Sequence, residues 1–227
     1  MGIRLMQNFN HPYTATTVKD FWSRWHISLS TWFRDYLYIP LGGSRCGKLR
    51  HLMNLMIIFL VSGIWHGAAW TFVIWGAIHG IYRVVGELTI RKRDRLLLTI
   101  GLSSDSTAVR CIRTVITFIL VCLAWVVFRA NSVADVGTLF VKMFSFSGSL
   151  SETLSIMELD IYRILLICVS VLTLLLVDRV LVYGDGADSS RILTKNGAFI
   201  YFVWAIIMCW VLLVSRDMVS SFIYFRF

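Results

Sequence analysis

Charge is scarce in this sequence, and its distribution is uneven. Asp, Glu, Lys and Arg supply 15% of the 227 residues, whereas hydrophobic residues supply 57% and the mean hydropathy is +0.72. Typical soluble domains are about 25% charged. Residues 51–82 contain no charged side chain, and further charge-poor windows cover 114–128, 164–177 and 196–215. Because a helix needs about 20 apolar residues to cross a bilayer, the sequence predicts an all-α, polytopic transmembrane helical bundle.

Several recurrent catalytic and binding patterns are also absent. The five cysteines show no CxxC or Cys/His ligand spacing, so no metal site is expected. The sequence has no Gly-rich phosphate loop, HExxH, GxSxG or pair of carboxylates within an apolar window. We attribute the formal charge of +9 to basic flanks of membrane helices that face the cytoplasm. The expected partner is therefore the lipid bilayer and not nucleic acid.

The charge pattern divides the chain into segments. Residues 1–50 mix aromatic, cationic and turn residues and predict amphipathic helices and a loop at the membrane interface, with Thr16 or Thr17 as the first N-cap. The alternative is a soluble-type helix packed on the membrane body. Residues 51–86 form a histidine-containing membrane segment, built as two short crossings, one long tilted helix, or a re-entrant element plus a span. Transmembrane helices are predicted at 111–128, 161–182 and 197–215.

Histidine is the residue type that most suggests chemistry. His66 has no charged residue within fifteen positions on either side, and an ionisable group at membrane depth is a functional candidate suited to general-base work. The alternative is a structural histidine that bonds a carbonyl across a helix interface. His79 would not share a face with His66 on one unbroken helix, which favours a structural role. His26 is interfacial and within possible reach of the site, whereas His11 and His51 are expected at the surface.

Five stretches resemble one known family. The longest is FWSRWHISLSTWFRDYLYIPLGG at residues 21–43, and SGIWHGAAW follows at residues 62–70. The shorter ones are WGAIHG at 75–80, AWVVFRA at 124–130 and the ending FIYFRF at 222–227. Together they are similar to the membrane-bound O-acyltransferase (MBOAT) family, in the branch that contains alginate O-acetyltransferase. The first motif is long and highly specific, and the resemblance extends over nearly the whole chain.

The resemblance implies a function and a site. Family members transfer an acyl group from a cytoplasmic thioester, here acetyl-CoA or another acyl thioester acting as substrate with no bound cofactor, to a hydroxyl of an exported or membrane-associated acceptor. The two family histidines fall on His66 and His26, which are the expected catalytic residues. Trp25, Arg34 and Asp35 are expected to line or brace the site as substrate-binding residues. The implied setting is multi-pass, in the bacterial inner membrane, with extracytoplasmic acetyltransferase proteins and a polysaccharide as partners.

Family members also have further transmembrane helices before the first motif. We therefore expect residues 1–227 to be the C-terminal part of a single MBOAT domain, with the N-terminal half of the same fold as a further partner. Two other hypotheses are a non-catalytic conduit or scaffold for an acetylation complex, and an inactive truncated remnant. The acceptor stays open between alginate, another exopolysaccharide and peptidoglycan, with D-alanylation of teichoic acid more distant.

Overall fold

The computed structural model describes residues 6–145, 161, 164–165 and 167–172. The chain divides into two compact units, Met1–Gly148 and Ser149–Phe227. In the second unit the described residues are helical, while the rest of the predicted span 161–182 and all of 197–215 lie outside the described residues. Across the described part of the chain every regular element is helical and no strand occurs, which confirms the all-α class.

Six α-helices and two tight turns occur in the described residues of the first unit, 6–145. They are a 3₁₀ turn at Pro12–Thr14, α1 (Val18–Arg24), α2 (Ile27–Phe33), a π-helical turn at Arg34–Tyr38, α3 (Lys48–His66), α4 (Trp70–Thr99), α5 (Thr107–Arg129) and α6 (Val133–Ser145). Thr17 is the N-cap of α1, because its Oγ1 accepts a hydrogen bond from the backbone N–H of Asp20 at 3.0 Å. One of the two predicted caps is thus confirmed.

Helices α3 and α4 form a tight antiparallel hairpin. The chain turns at Gly67, where φ is +148°, so the predicted segment 51–86 contains two helices and is not one long tilted helix. A Cβ added to Gly76 would collide with the carbonyl of Phe59, and one added to Gly63 would collide with the carbonyl of Phe72. The glycines therefore permit backbone-to-backbone packing that any larger residue would prevent.

Helix α5 and the short α1 pack onto this hairpin. Trp75 of α4 and Ala124 and Val127 of α5 form one buried cluster. Phe21 of α1 and Val121 of α5 belong to a second. This packing favours the alternative interpretation of residues 1–50, in which a helix packs on the membrane body, at least for α1.

Two of the described helices meet the requirements for crossing a bilayer. Lys48–His66 and Thr107–Arg129 are long and apolar enough by length and composition. The predicted span 111–128 thus lies within α5. Beyond the charge-free part of α4, Asp94 Oδ1 pairs with Arg113 Nη2 of α5 at 2.8 Å. This ion pair ties the polar ends of the two helices together.

Candidate functional site

His66 is the last residue of α3 and lies at the tip of the hairpin. The sharp turn that follows depends on Gly67, whose φ of +148° is rare for other residues. A Cβ at Gly67 would also approach Cε2 of Phe72 to 2.8 Å. The Trp-His-Gly sequence is thus explained locally, because glycine lets the chain reverse directly after the histidine.

Aromatic rings surround the His66 imidazole on several sides. Trp75 of α4 and Phe128 of α5 both meet it edge-on, at centroid distances of 5.2 Å and 5.1 Å. Trp65 contacts it at 5.0 Å. The ring is half-buried, and within residues 6–145, 161, 164–165 and 167–172 no group hydrogen-bonds it. The structural alternative, a histidine bonded to a carbonyl across a helix interface, is therefore not observed there.

His26 occupies the break between α1 and α2. Its backbone is left-handed, with φ 46° and ψ 54°, and its Nδ1 is buried without a hydrogen-bond partner among the described residues. Asn8 holds the break in place: its carbonyl accepts from the N–H of Ile27 and its Oδ1 from the N–H of Ser28, both at 3.0 Å. The imidazoles of His26 and His66 lie close enough for their charges to interact. The structure thus brings together the two histidines that the sequence singled out.

Trp25 lies beside His26 as part of an aromatic cluster. Its ring stacks on Phe21 at 5.6 Å and packs against Trp125 of α5 at 5.5 Å. Phe9 meets it edge-on at 4.9 Å. These contacts show that Trp25 braces the α1–α2 break against α5, while a contact with substrate stays a prediction.

Arg34 and Asp35 lie in the π-helical turn. Neither is among the residues described above as contacting the rings of His26 and His66. Arg34 Nε donates to Asp35 Oδ1 at 2.8 Å, and both side chains are largely exposed. The hydrogen bond from the Arg34 guanidinium lowers the pKa of the Asp35 carboxyl. Arg34 lines a cavity to which Asp35, His26 and His66 do not contribute.

This cavity, here called the basic cavity, has a volume of about 440 Å³. It lies between α1, α2, the π-helical turn and the α3–α4 hairpin, and it mixes polar and apolar walls. Its lining consists of Lys19, Trp22, Leu29, Ser30, Phe33, Arg34, Tyr38, Ser44, His51, Leu55, Ile58, Phe59, Ser62, Arg83 and Glu87. His51 is half-buried there and bonded through Nδ1 to the Tyr38 hydroxyl at 2.9 Å, so the prediction of a surface position for His51 was wrong.

His79 is completely buried in the α3–α4 hairpin. Its Nδ1 accepts from Trp22 Nε1 at 3.2 Å, which leaves the proton of the ring on Nε2. Trp75 stands between the two histidines, with its ring 5.0 Å from His79 and 5.2 Å from His66. The sequence argument that compared His79 with His66 assumed one unbroken helix, and it fails because the chain turns at Gly67. The burial of His79 among aromatic rings nevertheless agrees with the structural role that the sequence favoured.

Sequence reasoning missed Trp22, Trp75 and Phe128 as neighbours of the histidines. Trp75 and Phe128 lie inside two of the short motifs quoted above, WGAIHG and AWVVFRA, and Trp22 lies inside the longest. Their positions inside these motifs were the signal in the sequence that could have identified them as neighbours of the histidines. In the part of the chain that the structure describes, no three His, Cys, Asp or Glu side chains lie together as around a metal ion.

The sequence profile of the membrane-bound O-acyltransferase family matches residues 4–134. The chain belongs to this family. That assignment agrees with the motifs carrying His26 and His66, both of which lie inside the matched region.

Named relatives extend the comparison. A probable alginate O-acetylase of Pseudomonas fluorescens is 46% identical over 153 residues, which cover 67% of this chain and 29% of that protein. A probable alginate O-acetylase of Pseudomonas putida is 34% identical over 245 aligned positions, covering all of this chain and 47% of that protein. A peptidoglycan O-acetyltransferase of Helicobacter pylori is 40% identical over 147 residues, covering 65% of this chain and 26% of that protein. The chain thus spans about half or less of the length of these relatives.

Proposed function

We propose that this chain is the histidine-bearing part of a membrane O-acyltransferase. It would transfer acetyl groups from a cytoplasmic thioester such as acetyl-CoA towards hydroxyls of an exported polysaccharide such as alginate. The observation that carries the proposal is the His66 ring: half-buried, enclosed by aromatic side chains, within electrostatic range of His26, and without a hydrogen bond in the described part of the chain. Membership of the family and the names of the relatives support the same reaction.

In this proposal His66 acts as the general base. Its unprotonated nitrogen takes the proton of the acceptor hydroxyl while that oxygen attacks the thioester carbonyl. The new C–O bond forms, the C–S bond breaks, and the proton on His66 passes to the departing thiolate. The aromatic rings around His66 limit water at the reacting carbonyl, which would protect the acyl group from hydrolysis.

The setting of the reaction is part of the proposal. The enzyme would lie in the inner membrane of a bacterium as a multi-pass protein, with the remainder of the MBOAT fold completing the site. Extracytoplasmic acetyltransferases would then work with it on the polymer. The alginate relatives favour alginate as acceptor, and the peptidoglycan O-acetyltransferase of Helicobacter pylori favours peptidoglycan as the second candidate.

The role of His66 is testable in a chimera. The part of the Pseudomonas putida relative that matches this chain, 47% of that protein, is replaced by residues 1–227, and acetyl esters on alginate are measured in cells lacking their own alginate O-acetylase. We expect His66→Gln to lower acetylation by about 10²–10⁴-fold, as loss of a general base does. His11→Asn is the matched control, because asparagine also tolerates the left-handed backbone of His11.

Membrane levels of the chimera must be equal for both variants. Unchanged acetylation by His66→Gln at equal level would refute the role of His66 and favour the conduit or scaffold hypothesis. If only muropeptides of the same cells gain acetyl esters, the reaction class stands and the acceptor is peptidoglycan.

A further inference from the structure

Two buried ring nitrogens of α4 lack a hydrogen-bond partner in the described part of the chain. Trp75 is 3% exposed and His79 is fully buried. The unpartnered atoms are Nε1 of Trp75 and Nε2 of His79. Buried polar groups in proteins are almost always hydrogen-bonded, and each exception needs an explanation. A partner for these two atoms is therefore expected beside the two rings.

The hydrogen bond from Trp22 determines what kind of partner is needed. An indole nitrogen can only donate, so Trp22 Nε1 donates to His79 Nδ1, at 3.2 Å. Nδ1 thus carries no proton, and the proton of the neutral imidazole is on Nε2. The unpartnered Nε1 of Trp75 is a donor as well. Both atoms therefore require an acceptor, which a cation cannot provide.

The two donors belong to neighbouring rings. Trp75 and His79 are four residues apart within α4, so their side chains lie on the same face of the helix. Their ring centroids are 5.0 Å apart, and the ring planes are inclined by 70°. One small acceptor between the two rings can receive a hydrogen bond from each.

The surroundings of the two rings are apolar and closed to solvent. Trp75 forms a buried cluster with Ala124 and Val127 of α5, and Phe59 of α3 stacks on the His79 imidazole at 6.0 Å. A charged ligand would lose its hydration at this place, and a bulky one would have to displace the packed rings. Water is the smallest acceptor, and buried waters occur where polar groups of the protein are otherwise unsatisfied.

We propose that Trp75 Nε1–H and His79 Nε2–H bind one internal water molecule, whose oxygen accepts a hydrogen bond from each. The water extends the hydrogen bond between Trp22 and His79 into a chain that connects α1 with α4. Because the Trp75 ring also meets the His66 imidazole edge-on at 5.2 Å, the water holds in place a ring that borders His66. The water site itself does not depend on acyl transfer.

Removing one N–H while keeping the shape of the ring tests the site. In the 227-residue chain, held in detergent, Trp75 is replaced by benzothienylalanine, which has sulfur where indole has N–H. Loss of the hydrogen bond to water should lower the midpoint of thermal unfolding by about 2–4 °C. If the indole N–H had no partner, its removal would relieve a desolvation cost and raise the midpoint. An unchanged or raised midpoint would overturn the proposal.

Two other tryptophans are matched controls for the same replacement. Trp22 has a known acceptor in His79 Nδ1, so benzothienylalanine at position 22 should lower the midpoint by a similar amount and calibrates the loss of one hydrogen bond. Trp70 is 72% exposed at the start of α4, and the replacement there should leave the midpoint nearly unchanged.

A second substitution tests whether the two donors share one water. His79→Asn keeps an acceptor near the position of Nδ1 for Trp22 and removes the donor at Nε2. Benzothienylalanine at position 75 should then lower the midpoint less in the His79→Asn chain than in the unaltered one, because groups that share a partner are energetically coupled. An equal fall in both chains would show that the two donors have separate acceptors, and the shared site would be refuted.

The unaltered chain identifies the acceptor directly, and it decides the question if the altered chains do not fold. Tryptophan with an isotopically labelled indole nitrogen is incorporated at position 75 alone. We expect a nuclear Overhauser effect from water to the indole proton. Its absence would mean that water is not the acceptor, whatever the midpoints show. His66→Gln should retain this effect, so loss of acyl transfer in that variant tests the proposed function alone.

Discussion

At the scale of single residues, His26 is unusual for its backbone. The left-handed region costs an L-amino acid about 1–2 kcal/mol, and glycine would occupy it without that cost. Histidine is found there together with a buried Nδ1 that lacks a partner in the described chain. Two unfavourable features at one position are what is expected where the imidazole is required for function.

Replacing His26 by glycine separates backbone strain from imidazole chemistry. We expect the melting temperature of His26→Gly to be unchanged or higher, because the left-handed conformation becomes unstrained and the unpaired buried nitrogen is removed. Acyl transfer by the chimera should nevertheless fall by at least about tenfold. Thermal unfolding in detergent and alginate acetylation are the two measurements. Full activity with raised stability would show that His26 only shapes the chain.

How far the sequence predicts the site differs from residue to residue. The isolation of His66 from charge was visible because membrane burial removes charged neighbours, and the Thr17 cap follows a local rule. The separation of Arg34 from His66 was not predictable, because it depends on how the π-helical turn folds back over α3. The position of His79 relative to His66 was predicted wrongly, because the argument from helix faces assumes one unbroken helix. The chain reverses at Gly67, and a glycine in the sequence permits that φ without requiring it.

At the scale of elements, the α3–α4 hairpin is the best-defined part of the fold. Its helices approach until backbone meets backbone at Gly63 and Gly76, and Gly80 packs on the side chain of Met56. The charge-free window predicted a membrane segment, and its glycines indicated close or broken packing. Periodicity alone could not choose between one helix and two, because apolar residues surround both helices and no polar face marks the turn.

The close approach predicts opposite effects for two glycines of α4. Gly76→Ala should lower the free energy of unfolding by about 1–3 kcal/mol, because the added methyl group forces the helices apart. Gly86→Ala meets nothing within 4 Å and should raise stability by about 0.5–1 kcal/mol through helix propensity. Thermal unfolding of both variants in the same detergent is the measurement. Equal melting temperatures would contradict the backbone packing between α3 and α4.

At the scale of the whole molecule, α5 buries one apolar face and exposes another. Its buried residues Val121, Ala124 and Val127 face the hairpin and α1, while Ile112, Val115, Ile116, Phe118 and Ile119 are about half exposed or more. An unbroken apolar face of this size is suited to contact with lipid or with further helices of the same protein. The exposed face therefore agrees with the membrane setting proposed above.

Membrane insertion gives a prediction for the 227-residue chain. When produced in bacteria, the chain should sediment with membranes and stay there after washing with alkaline carbonate, because α3 and α5 would be embedded in hydrocarbon. Detergent should release it. Release by carbonate alone, judged by immunoblotting against a known integral membrane protein as control, would contradict insertion.

The glycine contacts of the hairpin also bear on how a ligand would enter and leave. One wall of the basic cavity is α3 and α4, whose interlocked backbones leave little freedom to slide or separate. The opposite wall includes α1 and α2, which have seven residues each. Helices of two turns contribute little stability of their own, and the break between them is held by the hydrogen bonds of Asn8 and the aromatic contacts of Trp25. A ligand should therefore enter and leave the basic cavity when α1 and α2 move away from the hairpin. Substitutions at Asn8 should change the association rate far more than substitutions within the hairpin.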